Sequence, residues 1–182
     1  MAFEVLKLKG RFLKTFMEFK EVIQKRYSCR SYKDEPVPEE KILSLLEAAR
    51  LAPSAHNRQP YRFIVVKDKE KIKKLAEAAN QSFIAEAPVV IVGVALDPED
   101  VLPCGVPTYA VDVAIAMEHI TLQATDEGLG SCWIGAFSQE KVKEILQIPE
   151  EQKVVALMPI GWPNDFPSAK ERKSLEDLVS YQ

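Results

Sequence analysis

The chain has 182 residues and a formal net charge of −3 at pH 7; 47% of its residues are hydrophobic and 28% are charged. This length suits a single domain with a sizeable core, and the charge balance argues against nucleic acid or an anionic membrane surface as the main partner. No apolar run reaches the roughly 20 residues that a membrane-spanning helix needs. Three widely spaced cysteines favour a reducing compartment over a disulfide framework, so we expect a cytoplasmic protein.

Apolar periodicity and capping residues predict three helices and two strands in the first half of the chain. The helices are predicted at Phe19 to Lys25, from Pro38 to a stop at Pro53, and at Lys69 to Ala79. Pro38 suits the first helical position, and Asp68 is a good N-cap for the third helix. Short runs rich in Val and Ile predict buried strands at 63–66 and 88–96.

The second half of the chain predicts a central helix, two further strands and two shorter helices. Residues 109–127 follow a proline-containing loop at 97–108 and are apolar around most of the helical circumference, which is typical of a central helix. Gly128 is placed to end this helix. The remaining predicted elements are strands at 131–134 and 154–160, a helix after Ser138, and a short last helix from the capping-box pattern at Ser174 to Asp177. Together the elements predict one α+β domain, with a mostly antiparallel sheet flanked by helices.

Two polar segments stand apart from this pattern because neither looks like a core element. The first is Arg26-Tyr27-Ser28-Cys29-Arg30, in which two arginines and a hydroxyl recur at every second position. Arginine forks match phosphate oxygens in a bidentate manner, and a helical or an extended backbone can bring Arg26, Ser28 and Arg30 to one side. The segment therefore predicts an anion site, with a solvated basic patch as the alternative.

The second polar segment lies between Pro53 and Pro60, where a helix gives way to a strand. The prolines restrict the backbone, and the side chains of Ser54, Asn57 and Gln59 can donate to and accept from a ring edge rich in heteroatoms. An ordinary helix-to-strand connection is the alternative interpretation.

These segments resemble the signatures of the FMN-dependent nitroreductase family, which are Arg-x-Ser-x-Arg and, further along, Pro-Ser-x-x-Asn-x-Gln-Pro-aromatic. Gly128 to Gly135 and the basic cluster Lys170 to Lys173 match in the same order. The first of these does not fit a dinucleotide-binding G-x-G-x-x-G pattern, because Trp133 stands at the third glycine position. The resemblance implies a nitroreductase-like fold built as an intertwined homodimer. Residues 17–182 would form the single FMN-binding domain, and residues 1–16 an N-terminal extension or the product of an upstream start.

The resemblance also implies a role for each polar segment. Arg26 and Ser28 would hold the FMN phosphate or ribityl chain, and Arg30 would approach the pyrimidine edge. The segment that begins at Pro53 would reach the flavin of the partner subunit, and a backbone N–H of Gly135 or Ala136 would face flavin N5. The cofactor-binding residues expected on this basis are Arg26, Tyr27, Ser28, Arg30, Pro53, Ser54, Ala55, Asn57, Gln59, Gln81, Ile134, Gly135, Ala136, Lys170 and Arg172.

The implied activity is a ping-pong reduction, in which NADH or NADPH gives hydride to flavin N5 and a nitroaromatic, quinone or related acceptor then enters the same pocket. No catalytic side chain is expected, because the flavin carries the chemistry, and no metal, because the two histidines lie in no zinc-binding pattern. Two alternatives stay open. One keeps the fold and FMN but changes the reaction to dehalogenation, enone reduction or flavin cleavage; the other is a flavin-binding carrier without turnover. The loop at 97–109 is expected to roof the pocket and to set acceptor choice.

Overall fold

The computed structural model describes residues 17–164, 166 and 171–182, and at its centre lies a four-stranded sheet. The strands are β1 (Tyr61–Val66), β2 (Val89–Ala95), β3 (Gly130–Ser131) and β4 (Lys153–Gly161), in the spatial order β1-β2-β4-β3. All three neighbouring pairs are antiparallel. The predicted α+β class with an antiparallel sheet is therefore confirmed, whereas the predicted extension at 1–16 lies outside the described residues.

Five α-helices surround the sheet within the described residues: α1 (Phe19–Lys25), α2 (Glu39–Arg50), α3 (Lys69–Ala79), α4 (Thr108–Asp126) and α5 (Gln139–Leu146). Helices α2 and α4 belong to the hydrophobic cluster on one face of the sheet, and α3 and α5 to the cluster on the other. Strand β2 is consequently buried along its whole length. No helix in the described ranges is long and apolar enough to cross a membrane.

Three predicted helix ends are confirmed by their hydrogen bonds. The Asp68 side chain accepts from the Lys71 N–H at 2.8 Å at the start of α3, and Ser138 Oγ accepts from the Lys141 N–H at 3.3 Å at the start of α5. At the end of α4, Gly128 has a φ of 77°, a conformation that a Cβ would strain. The Leu129 N–H then reaches back to the Ala124 carbonyl at 2.7 Å, as expected of a glycine-terminated helix.

Several element boundaries differ from the sequence predictions, by one residue at each end of β2, α4 and β4 and in three further places. Pro38 has an extended ψ of 144° and serves as the N-cap, so α2 begins one residue later, at Glu39. Strand β1 begins at Tyr61 rather than at residue 63. The strand predicted at 131–134 is instead Gly130–Ser131, after which the chain becomes irregular and only Ile134 pairs again, with Leu157 of β4.

The prediction of a short last helix at Ser174 to Asp177 is wrong. Ser174 Oγ accepts from the Asp177 N–H at 3.2 Å, and the Asp177 carboxylate accepts from the Ser174 hydroxyl at 2.9 Å, so the predicted local hydrogen bonds do form. The backbone nevertheless makes only a turn. Leu175 and Leu178 are 78% and 64% exposed, and a helix this short does not persist without an apolar face to bury.

A buried ion pair ties α2 to the C-terminal end of α4. Lys41 Nζ lies 2.7 Å from Glu127 Oε2 and also donates to the Glu127 backbone carbonyl at 2.9 Å. Ser44 and Gln123 donate to the other carboxylate oxygen, each at 3.2 Å. The Glu127 side chain is only 5% exposed, so its charge depends on these partners.

We expect Glu127→Gln to lower the free energy of unfolding by about 2 to 4 kcal/mol, because it leaves the Lys41 ammonium partly buried without a counter-charge. Urea denaturation measures this change. The control is Glu47→Gln, which breaks an exposed ion pair with Arg50 and should have no measurable effect. Equal stability losses in the two variants would contradict a special role for the buried pair.

Candidate functional site

The first polar segment passes beside β3 and is joined to it by a single isolated bridge. Ser28 forms a parallel bridge with Ser131, and the Cys29 N–H donates to the Ser131 carbonyl at 2.9 Å. This close approach requires glycine at position 130, because a Cβ there would lie 2.6 Å from Cys29 Sγ. The structure therefore brings together the segment containing Arg26, Ser28 and Arg30 and the glycine-rich segment that begins at Gly128.

A cavity of about 1030 Å³ opens next to this contact, between α1, the C-terminal end of α4 and the chain that follows β4. Its described lining includes Lys25, Arg26 and Arg172 but no carboxylate. Lys25 has a distant partner, Glu21 Oε2 at 3.7 Å. Neither Arg26 nor Arg172 forms an ion pair with any residue that the structure describes. Unpaired arginines in a cleft are the features of an anion-binding site.

The aromatic wall of this cavity is formed by Tyr27 and Phe166, whose ring centroids are 6.3 Å apart. Arg172 donates to the Glu171 carbonyl at 2.6 Å, which leaves the rest of its guanidinium available. The predicted site residue Lys170 lies outside the described residues. The cavity thus offers two arginines and an apolar wall to a ligand that carries an anionic group.

The charges of the arginines act on two ionisable groups around the first segment. Burial raises the pKa of Glu118 on α4, and the charges of Arg26 and His119 offset this only in part. Burial also raises the pKa of the Cys132 thiol, against the opposing effects of Arg30 and of a hydrogen bond with Ser28. Cys132 therefore stays protonated near pH 7 and does not supply a counter-charge.

The other predicted residues of the glycine-rich region lie around the end of β3. Ile134 is buried and bridges Leu157, whereas Gly135 and Ala136, which follow it, are exposed.

Gln81 is half-buried and precedes a short turn whose Phe83 packs on the cluster of Cys29 and Tyr32. Arg30 is exposed, and its guanidinium donates weakly to the Ser28 carbonyl at 3.4 Å.

The second polar segment forms a compact loop. Residues Ala55–Asn57 make one 3₁₀ turn, and Ser54 Oγ accepts from the Gln59 N–H at 3.1 Å, which closes the loop. The Gln59 amide nitrogen donates to the Asn57 carbonyl at 3.0 Å and to Asn57 Oδ1 at 3.2 Å. His56, Asn57 and Gln59 all have positive φ, between 52° and 56°, which is a strained conformation for residues other than glycine.

Two carboxylates outside the loop hold it in place. Asp112 Oδ1 on α4 accepts from the Ala55 N–H at 3.1 Å, and Asp100 Oδ2 pairs with the Arg58 guanidinium at 2.6 Å. The neighbouring Thr108 side chain, together with the Arg58 charge, lowers the pKa of Asp100, so this carboxylate is ionised near pH 7. Our sequence reasoning missed both residues. Asp112 could have been noticed as a lone carboxylate in an otherwise apolar stretch of helix.

The two polar segments lie at opposite ends of α4. Asp112, near the N-terminal end of the helix, contacts the second segment, whereas Thr121 Oγ1 lies 2.8 Å from Ser131 Oγ, beside the first. Thr121 is nine residues after Asp112, which is about 14 Å at 1.5 Å per residue. Within one chain, the first polar segment therefore lies beside the glycine-rich segment, and the second polar segment lies away from both.

Metal ligation has no candidate within the described ranges, where no three His, Cys, Asp or Glu side chains are grouped as a metal site requires. All three cysteines are free thiols.

Comparisons with known proteins show which family the chain resembles. A sequence model described as the nitroreductase family matches residues 23–90 and 77–162. An FMN reductase [NAD(P)H] from Bacillus subtilis is 34% identical over 173 residues, which cover 85% of this chain and 69% of that protein. A solved nitroreductase family protein from Clostridium novyi NT is 43% identical and superposes with a TM-score of 0.77 over 82% of this chain and 87% of its own. An FMN-dependent nitroreductase from Clostridium difficile R20291 is 32% identical, with a TM-score of 0.75, over 88% of this chain and 96% of its own.

Proposed function

We propose that this chain, which belongs to the nitroreductase family, is an NAD(P)H-dependent oxidoreductase that binds FMN between two copies of itself and reduces nitroaromatic, quinone or related acceptors. Residues 17–182 form its one FMN-binding domain. The observation that carries the proposal is a cavity beside the glycine-rich strand whose two arginines form no ion pair with any described residue.

The phosphate of FMN fits the cationic cavity. A phosphate monoester carries nearly two negative charges, and Arg26 and Arg172 are the described cations of the cavity that have no carboxylate partner. Lys170 is proposed as a third cation. Tyr27 and Ser28 lie next to Arg26 and would contact the phosphate or the ribityl chain.

The ring of FMN fits the second polar segment. The hydrogen bonds between Gln59 and Asn57 use the Gln59 amide nitrogen and the Asn57 oxygen atoms. Asn57 Nδ2 and Gln59 Oε1 then form no hydrogen bond with the described residues, so the pair presents one donor and one acceptor side by side. The pyrimidine edge of a flavin alternates acceptors and a donor and is complementary to such a pair. Pro53, Ser54 and Ala55 shape the same loop.

We propose that a second copy of the chain brings the two halves of the ligand site together. The amide loop and the cationic cavity belong to opposite ends of α4, whereas one FMN must contact both. Apolar side chains are also left exposed on α1 and around α2: Phe19, Ile23, Leu43 and Leu51. An exposed apolar surface of this kind marks an interaction site, and a homodimer would cover it.

In this proposal the side chains bind and orient, and none serves as acid or base. The redox chemistry would come from bound FMN, which takes hydride from NAD(P)H and passes electrons to an acceptor. Arg30 would favour negative charge at the pyrimidine edge, since a cation stabilises an anion in a site shielded from water. The backbone N–H of Gly135 or Ala136, beyond the buried Ile134, would donate to a ring nitrogen, and Gln81 would contribute a polar contact nearby.

The purified protein should show flavin absorbance bands, and these should bleach when NADH or NADPH is added without oxygen. A nitroaromatic or quinone should then restore the bands and accelerate NAD(P)H oxidation. A protein that binds flavin but whose NAD(P)H oxidation does not respond to an acceptor would be a carrier. A colourless protein that also fails to take up added FMN would overturn the proposal.

Arg26→Ala and Arg172→Ala should each weaken FMN binding by more than about tenfold, as the loss of a charge-assisted hydrogen bond of roughly 1.5 to 3 kcal/mol requires. Binding of riboflavin, which has no phosphate, should change little in either variant. Fluorescence titration with both flavins measures the difference.

Lys141→Ala is the matched control for this titration, because it removes a cation from the exposed start of α5. It should leave both affinities unchanged. Equal losses for FMN and riboflavin in the arginine variants would remove Arg26 and Arg172 from the phosphate site.

A further inference from the structure

The Asp112 carboxylate is buried in α4 with half of its hydrogen-bonding capacity unused. The residue is 2% exposed, and its Oδ1 accepts from the Ala55 N–H at 3.1 Å. Its Oδ2 is fully buried and has no hydrogen-bond partner among the described residues. Burying a carboxylate is costly unless both oxygens are satisfied, so the fold keeps Asp112 at a cost that packing alone does not explain.

The contact with Ala55 joins the helical core to the loop at 54–59. This hydrogen bond spans 57 positions of the sequence, whereas the other bonds of the loop are mostly internal, such as the bond of Ser54 Oγ with the Gln59 N–H. Within the described ranges, one further side chain tethers the loop by a hydrogen bond, Asp100 through Arg58. The Arg58 side chain is half exposed, so solvent and salt weaken that second tether.

The loop needs an external tether because its backbone is strained. His56, Asn57 and Gln59 all adopt the left-handed conformation, and all three are exposed, so no packing holds them in it. Asp112 acts at the first residue of the 3₁₀ turn, where the Ser54 side chain makes no capping bond. The Asp112 carboxylate, which belongs to α4, therefore accepts the hydrogen bond that an N-cap side chain would otherwise accept.

Tyr61 of β1 lies close enough to the carboxylate for the Asp112 charge to act on it. Its hydroxyl is also buried without a hydrogen bond to any described residue. Burial and the Asp112 charge both raise the pKa of Tyr61, so the phenol stays protonated near pH 7. Asp112 thus has a neutral phenol in its surroundings and accepts a hydrogen bond from the Ala55 N–H, while Arg58 of the loop is already paired with Asp100.

We propose that Asp112 is a positioning residue for the flavin site: its hydrogen bond to Ala55 holds the loop at 54–59 in the strained form that presents Asn57 and Gln59 to a flavin bound mainly by the partner subunit. This inference rests on the proposed function, because it names the residue that organises one half of that site. Asp112 itself does not touch the flavin.

Three variants of the full-length protein test this role. Asp112→Ala removes the acceptor and frees the Ala55 N–H. Asp112→Asn keeps an oxygen for the Ala55 N–H and removes the negative charge of the carboxylate. Val113→Ala is the matched control, because it shortens the adjacent fully buried side chain in the same helix without touching the loop.

The first readout is amide hydrogen exchange of residues 55–59 without added flavin, and the second is the affinity for FMN. In Asp112→Ala, exchange should rise and FMN affinity should fall by at least about tenfold. Asp112→Asn should stay close to the parent protein in both readouts. Val113→Ala should lower the thermal midpoint while the exchange of the loop and FMN affinity remain near those of the parent protein.

Unchanged exchange in Asp112→Ala, or raised exchange with unchanged FMN affinity, would overturn the positioning role. It would also be overturned if Asp112→Asn lost as much affinity as Asp112→Ala, or if Val113→Ala reproduced the loss. A parent protein that binds no flavin is a separate result: it refutes the proposed function itself, whatever the exchange data show for the loop.

Discussion

The length of α4 is the constraint on which the account of this site depends. The helix crosses the sheet and holds one polar segment at each end, about 14 Å apart by the rise of an α-helix. Neither end alone offers a flavin both a phosphate site and a ring-edge site. In the proposed function, each chain therefore contributes half of two flavin sites, and the second chain supplies the other half of each.

A buried carboxylate lies near each end of α4. At the C-terminal end Glu127 is satisfied by Lys41 and by hydrogen bonds from Ser44 and Gln123, and its role is to hold the helix in the fold. At the N-terminal end Asp112 is only half satisfied, and its one bond goes to an exposed, strained loop. A fully paired carboxylate suits a structural role, whereas a half-paired one beside a strained loop is typical of a functional site.

Local interactions explain which features could be predicted from the sequence. Asp68, Ser138 and Gly128 act on residues within one helical turn of themselves, so their patterns predicted the helix ends correctly. Ser174 and Asp177 form equally local hydrogen bonds, yet no helix follows, because Leu175 and Leu178 find nothing to pack on within the described chain. The bond between Asp112 and Ala55 joins residues 57 positions apart, and only the folded arrangement of α4 reveals it. The family resemblance suggested the other candidate site residues and their division between two chains.

Mixed dimers of two marked chains test the central claim most directly. One chain carries Arg26→Ala, the other carries Asn57→Ala with Gln59→Ala, and two different affinity tags isolate the mixed species for FMN titration. If each site draws on both chains, the mixed dimer regains one intact site and binds one FMN tightly. The homodimers of the two variants do not bind FMN tightly. A second mixed dimer, the companion dimer, carries all three substitutions in one chain and none in the other. If each site draws on both chains, both of its sites are impaired. Tight binding in the companion dimer and its absence in the first would show that a single chain builds the whole site, and would contradict the account.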